Sequence, residues 1–333
     1  MKILIIRFSS IGDIVLTSPV IRCIKKQIPS AEIHYLTKSS YNQIIQHNPY
    51  ITVKHLLHDD LNETLTALKK ENFDFIIDLH HNFRSWKIRM VLGKPSKAFN
   101  KINLEKWLYV NLRFNMMPLA HIVERYLETV KAMGVNNDGE GLDYFISPAD
   151  EIRIEQLPLT HLHGFIAIAI GAQHVTKKLP VEKLKRLIPM LSYPIILLGG
   201  KEDAEAGEAV RAMDPLKVFN SCGKFTINQS ASIIRLSKAV ITNDTGMMHI
   251  AAAYKKKIIS LWGNTVPQFG MSPYFGSKSI SGADQNGISE IVEVQNLPCR
   301  PCSKLGYQKC PLGHFKCMNN IDDKKIIRSI NSY

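Results

Sequence analysis

No apolar run in this chain approaches the ~18 residues that a membrane-spanning helix requires. Runs such as 3–6 and 195–198 have four residues each. Arg7 cuts the N-terminal apolar stretch short, so the start of the chain is not expected to be a secretory signal. Low-complexity segments and repeats at 20–50 residues are also missing, which disfavours disorder and solenoids. The G-x-G-x-x-G fingerprint is absent as well, because the first strand-to-helix turn carries only Gly12, and this disfavours a dinucleotide dehydrogenase. Acidic residues are scarce: 29 Asp and Glu face 42 Lys and Arg, a formal net charge of +13. The expectation is a soluble cytoplasmic protein with an acidic partner, whether nucleic acid, an anionic membrane surface or a phosphorylated small molecule. No aromatic-studded basic motif of the RNA-recognition or zinc-finger type accompanies the charge, so nucleic acid is not the expected partner.

What is present is a repeating alternation of short apolar runs and amphipathic stretches. Residues 2–8 (KILIIRF), 32–38 and 73–80 (FDFIIDLH) read as strands, with helical patterns between them; one helix is expected from the turn at 9–13 to about Gln27. The pattern restarts after a loop-like stretch at 147–160. Strands are expected at 165–171, 194–200, 239–243 and 258–263, and helices near 181–191, 202–213, 227–237 and 246–256. Strands separated by helices imply βαβ units and parallel sheets. At 333 residues the length suits two such α/β domains, with a ligand cleft expected between them.

Polar groups gather where the expected strands end. The first turn, Ser9-Ser10-Ile11-Gly12-Asp13, opens a helix; Asp13 reads either as a first-turn acid complementing the helix dipole or as a general base. In Asn243-Asp244-Thr245-Gly246-Met247-Met248-His249, Gly246 permits close backbone approach, and the amides at the helix start suit a diphosphate. His249, on the first turn, could reach the same ligand. The segment Thr176-Lys177-Lys178-Leu179-Pro180 offers a lysine for a leaving phosphate, and Gly199-Gly200-Lys201-Glu202 an acid for ribose hydroxyls. Each has a plainer reading as a cap or a solvated charge, but three strand-to-helix loops of one half-chain point to one crevice.

Cys299, Cys302, Cys310 and Cys317 crowd into 19 residues as C-x2-C-x7-C-x6-C, with His314 inside. The ligand types suit a structural zinc; reduced packing cysteines or a labile disulfide are the alternatives. In the first half, His80, Asn82 and Arg84 follow a strand and could line the cleft rim, and His121 and Arg125 stand four residues apart on an expected helix.

Taken together, R-F-S-S-I-G-D-I-V-L-T-S-P, T-K-K-L-P, G-G-K-E, N-D-T-G-M-M-H-I-A-A-A and C-R-P-C…C-P-L-G-H-F-K-C-M, in that order over residues 7–318, resemble the ADP-heptose:lipopolysaccharide heptosyltransferase family. The resemblance implies an α/β GT-B fold of two Rossmann-like domains. Their expected bounds are 1–155 for the acceptor and 156–320 for the nucleotide sugar, with a last helix at 321–333 returning to the first domain. It implies an inverting transfer of heptose from ADP-heptose to an inner-core hydroxyl; another nucleotide sugar or acceptor, or nucleotide binding without catalysis, are the alternatives. Asp13 matches the catalytic base and Lys177 the lysine near the phosphates. Thr176, Glu202, Asp244, Thr245, Gly246 and His249 match donor-binding positions, while Ser9, Ser10 and Gly12 shape the loop facing the donor. One departure is Leu179, where the family commonly has Trp. No D-x-D motif is present, consistent with catalysis that needs no metal cofactor. Finally, residues 84–113 hold eight basic residues against the single acid Glu105. That concentration suits an anionic glycolipid acceptor (Kdo-lipid A or heptosylated core) met at the inner face of the inner membrane.

Overall fold

The computed structural model describes residues 1–276 and 287–331. It divides into two compact units, the first built from 1–101, 120–147 and 275–276 and the second from 102–119, 148–274 and the described residues beyond 286. Both are parallel α/β sheets, as the alternation of strands and helices implies.

Unit 1 contains β1 (Lys2–Ile6), β2 (Glu32–Lys38), β3 (Val53–Leu57), β4 (Phe75–Asp78) and β5 (Ser96–Ala98), in the order β3-β2-β1-β4-β5. Every pairing is parallel, with Ile3 opposite Ile33 and Phe75. β1 is apolar on both faces because it lies mid-sheet under helices on either side. Leu4, Ile6, Leu36, Leu57, Leu65, Leu68, Phe73 and Ile88 fill one layer of the core. The strand order reverses between β1 and β4, so the loops after these two strands flank the crevice where ligands bind in doubly wound sheets.

The single helix expected after the first turn is instead two, Ile11–Val15 and Ser18–Gln27. Pro19 sits in the first turn of the second, where its missing N–H costs nothing, and Thr17 donates its hydroxyl to the Ile14 carbonyl across the break. Arg22 on that helix is almost fully buried and donates to both Asp138 oxygens, to Asp143 and to the Gly141 carbonyl. Burial pushes the Asp138 carboxyl up, but the hydrogen bonds from Arg22 outweigh it and hold the group at about 2.

Unit 2 contains β6 (Ile166–Ala169), β7 (Ile195–Leu198), β8 (Val218–Asn220), β9 (Ala239–Asn243), β10 (Lys257–Trp262) and β11 (Ser289–Glu293), in the order β11-β10-β9-β6-β7-β8. Here the order reverses between β6 and β9, which places the loops after those strands at the crevice.

Two segments group differently from the expected bounds. Residues 102–119 belong to unit 2, where Tyr109 meets Phe269 edge-on and Arg113 donates to the carbonyls of Pro298 and Pro301. The helix Asp323–Asn331, expected to return to the first domain, packs in unit 2: Ile326 and Ile330 join its core, and Lys183 binds both the Ile321 carbonyl and Asp323. Among the described residues no helix is long and apolar enough to cross a membrane.

Candidate active site

In unit 1 the crevice loop is built around Arg7, which leaves the end of β1 and turns inward. It donates to the carbonyls of Ser9 and Leu79 and to the Tyr126 hydroxyl, and it pairs with Asp13 Oδ1 at 2.7 Å. Burial pulls the guanidinium down, yet the Asp13 carboxylate and its neighbours raise it above its usual value, so it stays charged. Asp13 Oδ2 accepts from the Ser10 hydroxyl at 2.7 Å and from the Ser10 amide at 3.2 Å. Ser9, Ser10 and Gly12 thus shape the loop that presents Asp13. The sequence reading missed Arg7 as a site residue, because directly after an apolar strand it signals only a polar boundary.

The loop after β4 supplies His80, whose ring lies 4.6 Å from that of Phe8. Burial, then the charge of Arg7, push its pKa down to about 3, so it is a neutral imidazole beside the Arg7–Asp13 pair. Asn82 has a different duty from the expected one. Its Oδ1 accepts from the Ser85 amide and caps the helix Phe83–Leu92. Arg84 is exposed on that helix. His121 is buried at the N-cap of the helix Ile122–Leu127, and its Nδ1 accepts from the Val123 amide, so it begins that helix rather than lining one of its faces. Arg125, one turn on, reaches the Asn100 carbonyl.

In unit 2 the two crevice loops meet. Lys177, in the turn Val175–Lys177 after β6, contacts Asp244 Oδ2 after β9 at 2.6 Å, and Thr265 donates to the same oxygen at 2.8 Å. Thr265, three residues after β10, is a further residue the sequence reading missed. Thr245 is the extended N-cap of the helix Gly246–Ala253, and its side chain makes no capping bond. The first amides of that helix, from Gly246 onward, therefore lie beside Lys177 and Asp244 without a side-chain cap. His249 is buried on the first turn.

Thr176 is adjacent but turned away. Its hydroxyl donates to the Tyr307 carbonyl and accepts from the Tyr307 amide, which pins the cysteine-rich segment instead of facing a donor.

After β7, Glu202 is exposed, whereas the next residue, Asp203, is buried. Asp203 accepts from the Gly200 amide at 2.9 Å and from Lys178 at 2.5 Å. A Cβ at Gly171 would stand 2.4 Å from its carboxylate, so that glycine is required for close approach. The signal for Asp203 was its place three residues after Gly200, the spacing of a helix-opening acid.

Cys302 interacts with Cys299, Cys310 and Cys317, although among the described residues no three of these sulfurs lie within 4.8 Å of one another. Cys299 Sγ lies 3.8 Å from His314 Nε2, and Cys302 donates to the Cys299 carbonyl. Burial, then the neighbouring cysteines, push Cys302 up to about 12, and burial pushes Cys317 up to about 11. Among the described residues the group of three whose ligand atoms come within 4.8 Å of one another is His34, His55 and Glu71 in unit 1. That group is already hydrogen-bonded: His34 Nδ1 faces His55 Nε2 at 2.8 Å, its Nε2 faces Glu32, and Lys2 holds Glu71.

Comparison with known proteins adds independent lines. Residues 63–299, more than half of the chain, match glycosyltransferase family 9 (heptosyltransferase). A lipooligosaccharide heptosyltransferase 2 of Haemophilus influenzae is 25% identical, with 99% of each chain covered. Lipopolysaccharide heptosyltransferase 2 of Escherichia coli is 24% identical over 81% of this chain and 84% of that one. Among solved structures, a family 9 glycosyl transferase from Veillonella parvula superposes with a TM-score of 0.75 at 20% identity, covering 99% of this chain and 96% of that one. The E. coli ADP-heptose lps heptosyltransferase II gives 0.71 at 19% identity, covering 100% and 98%. The folds agree along the whole chain, and the family match spans both units. The chain therefore belongs to glycosyltransferase family 9, the heptosyltransferases, and is a glycosyltransferase of the GT-B fold.

Proposed function

We propose that this enzyme is an inverting heptosyltransferase that moves heptose from ADP-heptose to a hydroxyl of the lipopolysaccharide inner core. The observation that carries the reading is the Asp13 carboxylate, held at the switch point of unit 1 by Arg7 and Ser10. In the proposed reaction Asp13 takes the proton of the acceptor hydroxyl. Oδ2 already accepts one hydroxyl hydrogen, from Ser10, in the geometry an acceptor hydroxyl would need. The acceptor oxygen attacks the anomeric carbon as the bond to the ADP oxygen breaks on the opposite face, which inverts the configuration.

Negative charge then grows on the departing β-phosphate. Lys177 and the amides opening the helix at Gly246 are the unit 2 groups suited to stabilise it, with Asp244 and Thr265 fixing the lysine. Glu202, exposed after β7, is the acid proposed for the ribose hydroxyls. The chemistry uses side chains and amides alone, without a metal cofactor. The donor assignment is supported by a structural relative, E. coli heptosyltransferase WaaC, solved with ADP.

Incubation with a panel of nucleotide sugars and two acceptors, Kdo-lipid A and a heptosylated core, tests the reading. ADP release that needs both ADP-heptose and one of these acceptors is expected. Release with a different sugar nucleotide would assign the scaffold to another donor, and tight ADP binding without turnover on any pair would make it a binding protein.

A further inference from the structure

The helix Phe83–Leu92 of unit 1 has apolar side chains on two opposite faces. Ser85 and Ile88 are buried and Leu92 packs on the unit 1 core, at positions i, i+3 and i+7. On the other face Phe83, Trp86 and Met90 repeat that spacing in solvent, 75%, 46% and 62% exposed. A surface helix ordinarily carries polar groups on its outer face. The rings of Phe83 and Trp86 stack with centroids 5.6 Å apart, which makes the stripe one continuous ridge.

Charge says what fits this ridge. Residues 84–97 contain Arg84, Lys87, Arg89, Lys94 and Lys97 and no acidic residue. Arg89 is spent on Asp78 and Lys94 on Asn72, while Arg84, Lys87 and Lys97 are exposed. An aromatic and thioether ridge with a basic border is the composition of a helix that lies in a membrane interface. Trp and Phe occupy the headgroup boundary there, and lysine and arginine meet lipid phosphates. A second copy of the chain would bring the same basic border against itself, and so is disfavoured by charge. In unit 2 the helix Asn103–Leu112 has the same character: it buries none of its residues and exposes Leu104, Trp107 and Leu112.

We propose that the Phe83–Trp86–Met90 ridge docks the enzyme on an anionic bilayer, its side chains entering the headgroup layer and its basic border contacting lipid phosphates. The surface uses side chains outside the proposed catalytic machinery. It is tested on vesicles that contain no glycolipid acceptor, so binding and transfer are read separately.

The full-length protein is sedimented with phosphatidylethanolamine–phosphatidylglycerol vesicles and, in parallel, with phosphatidylcholine vesicles. Binding to the anionic vesicles that weakens with salt is expected, together with quenching of tryptophan fluorescence by brominated lipid. The triple variant Phe83→Ser/Trp86→Ser/Met90→Ser should keep the wild-type thermal melt, because its positions are exposed, and should bind at least about tenfold more weakly. Its turnover on a water-soluble, delipidated acceptor should match the wild type. A wild-type protein that stays in solution with anionic vesicles, or a triple variant that binds as well as the wild type, would overturn the proposal. So would a salt-resistant dimer that the triple variant abolishes, because the ridge would then be a protein interface.

Discussion

The two units solve the same topological problem with opposite polarity. In each, the sheet order reverses once, and an ion pair sits at that reversal. In unit 1 the cation is the deeper partner, the Arg7 side chain 9% exposed against 19% for Asp13. In unit 2 the anion is deeper, Asp244 at 12% against 17% for Lys177. One crevice thus presents a carboxylate and the other an ammonium. A partly buried pair of this kind contributes little net stability, because desolvation offsets the attraction. Its value lies in fixing which charge faces outward. A base for a hydroxyl proton and a cation for a leaving phosphate are the two charges the proposed reaction requires.

That contrast can be broken at several points. Removing the unit 1 carboxylate in Asp13→Ala should cost the most, about 10²- to 10⁴-fold in turnover, read by ADP release. Lys177→Met in unit 2 should cost about 10²-fold and should also weaken ADP, measured by calorimetry, because the lysine meets charge already present in the ground state. Arg7→Met removes the buried guanidinium that neutralises Asp13. It should lower stability by about 3 kcal/mol in urea unfolding, while Arg7→Lys should recover part of that loss.

The smallest effect is a pH dependence at His80. Its folded pKa of about 3 lies below the ordinary value near 6.5, so the unfolded chain binds the extra proton between those limits. Stability from this residue is therefore full above about pH 6.5 and declines as pH falls toward 3. His80→Gln should flatten the fall in urea midpoint between pH 6.5 and 5.

Much of this was legible in the chain itself, and the reasons differ by residue. The apolar strands KILII and IILL announce their central places because parallel sheets bury both faces. The Asp13 and Asp244 loops were legible because polar residues stood directly after such strands. By contrast, β5 (SKA) has three residues and is polar, and β8 (VFN) has three residues, too few to show a period. β3 (VKHLL) was hidden by the lysine and histidine in it. The roles of Thr176 and His121 could not be read, because a hydroxyl or imidazole near a motif signals a polar contact but not its partner. Each binds backbone instead: Thr176 at Tyr307, 131 residues away, and His121 at Val123. The cysteine spacing suggested a cluster, and Cys299, Cys302, Cys310 and Cys317 are neighbours in the fold, but spacing alone does not fix how far apart the sulfur atoms stand.

The division of labour between the two ion pairs is tested most directly by Asp13→Asn, a change of nearly equal size that removes the base. ADP affinity and turnover would be measured on the same preparation. The account predicts an ADP affinity unchanged within about twofold, because the proposed ADP site lies in unit 2, and turnover at least tenfold lower. Near-wild-type turnover in that variant would contradict the assignment of Asp13 as the base, and lost ADP binding would contradict the separation of roles between the two units.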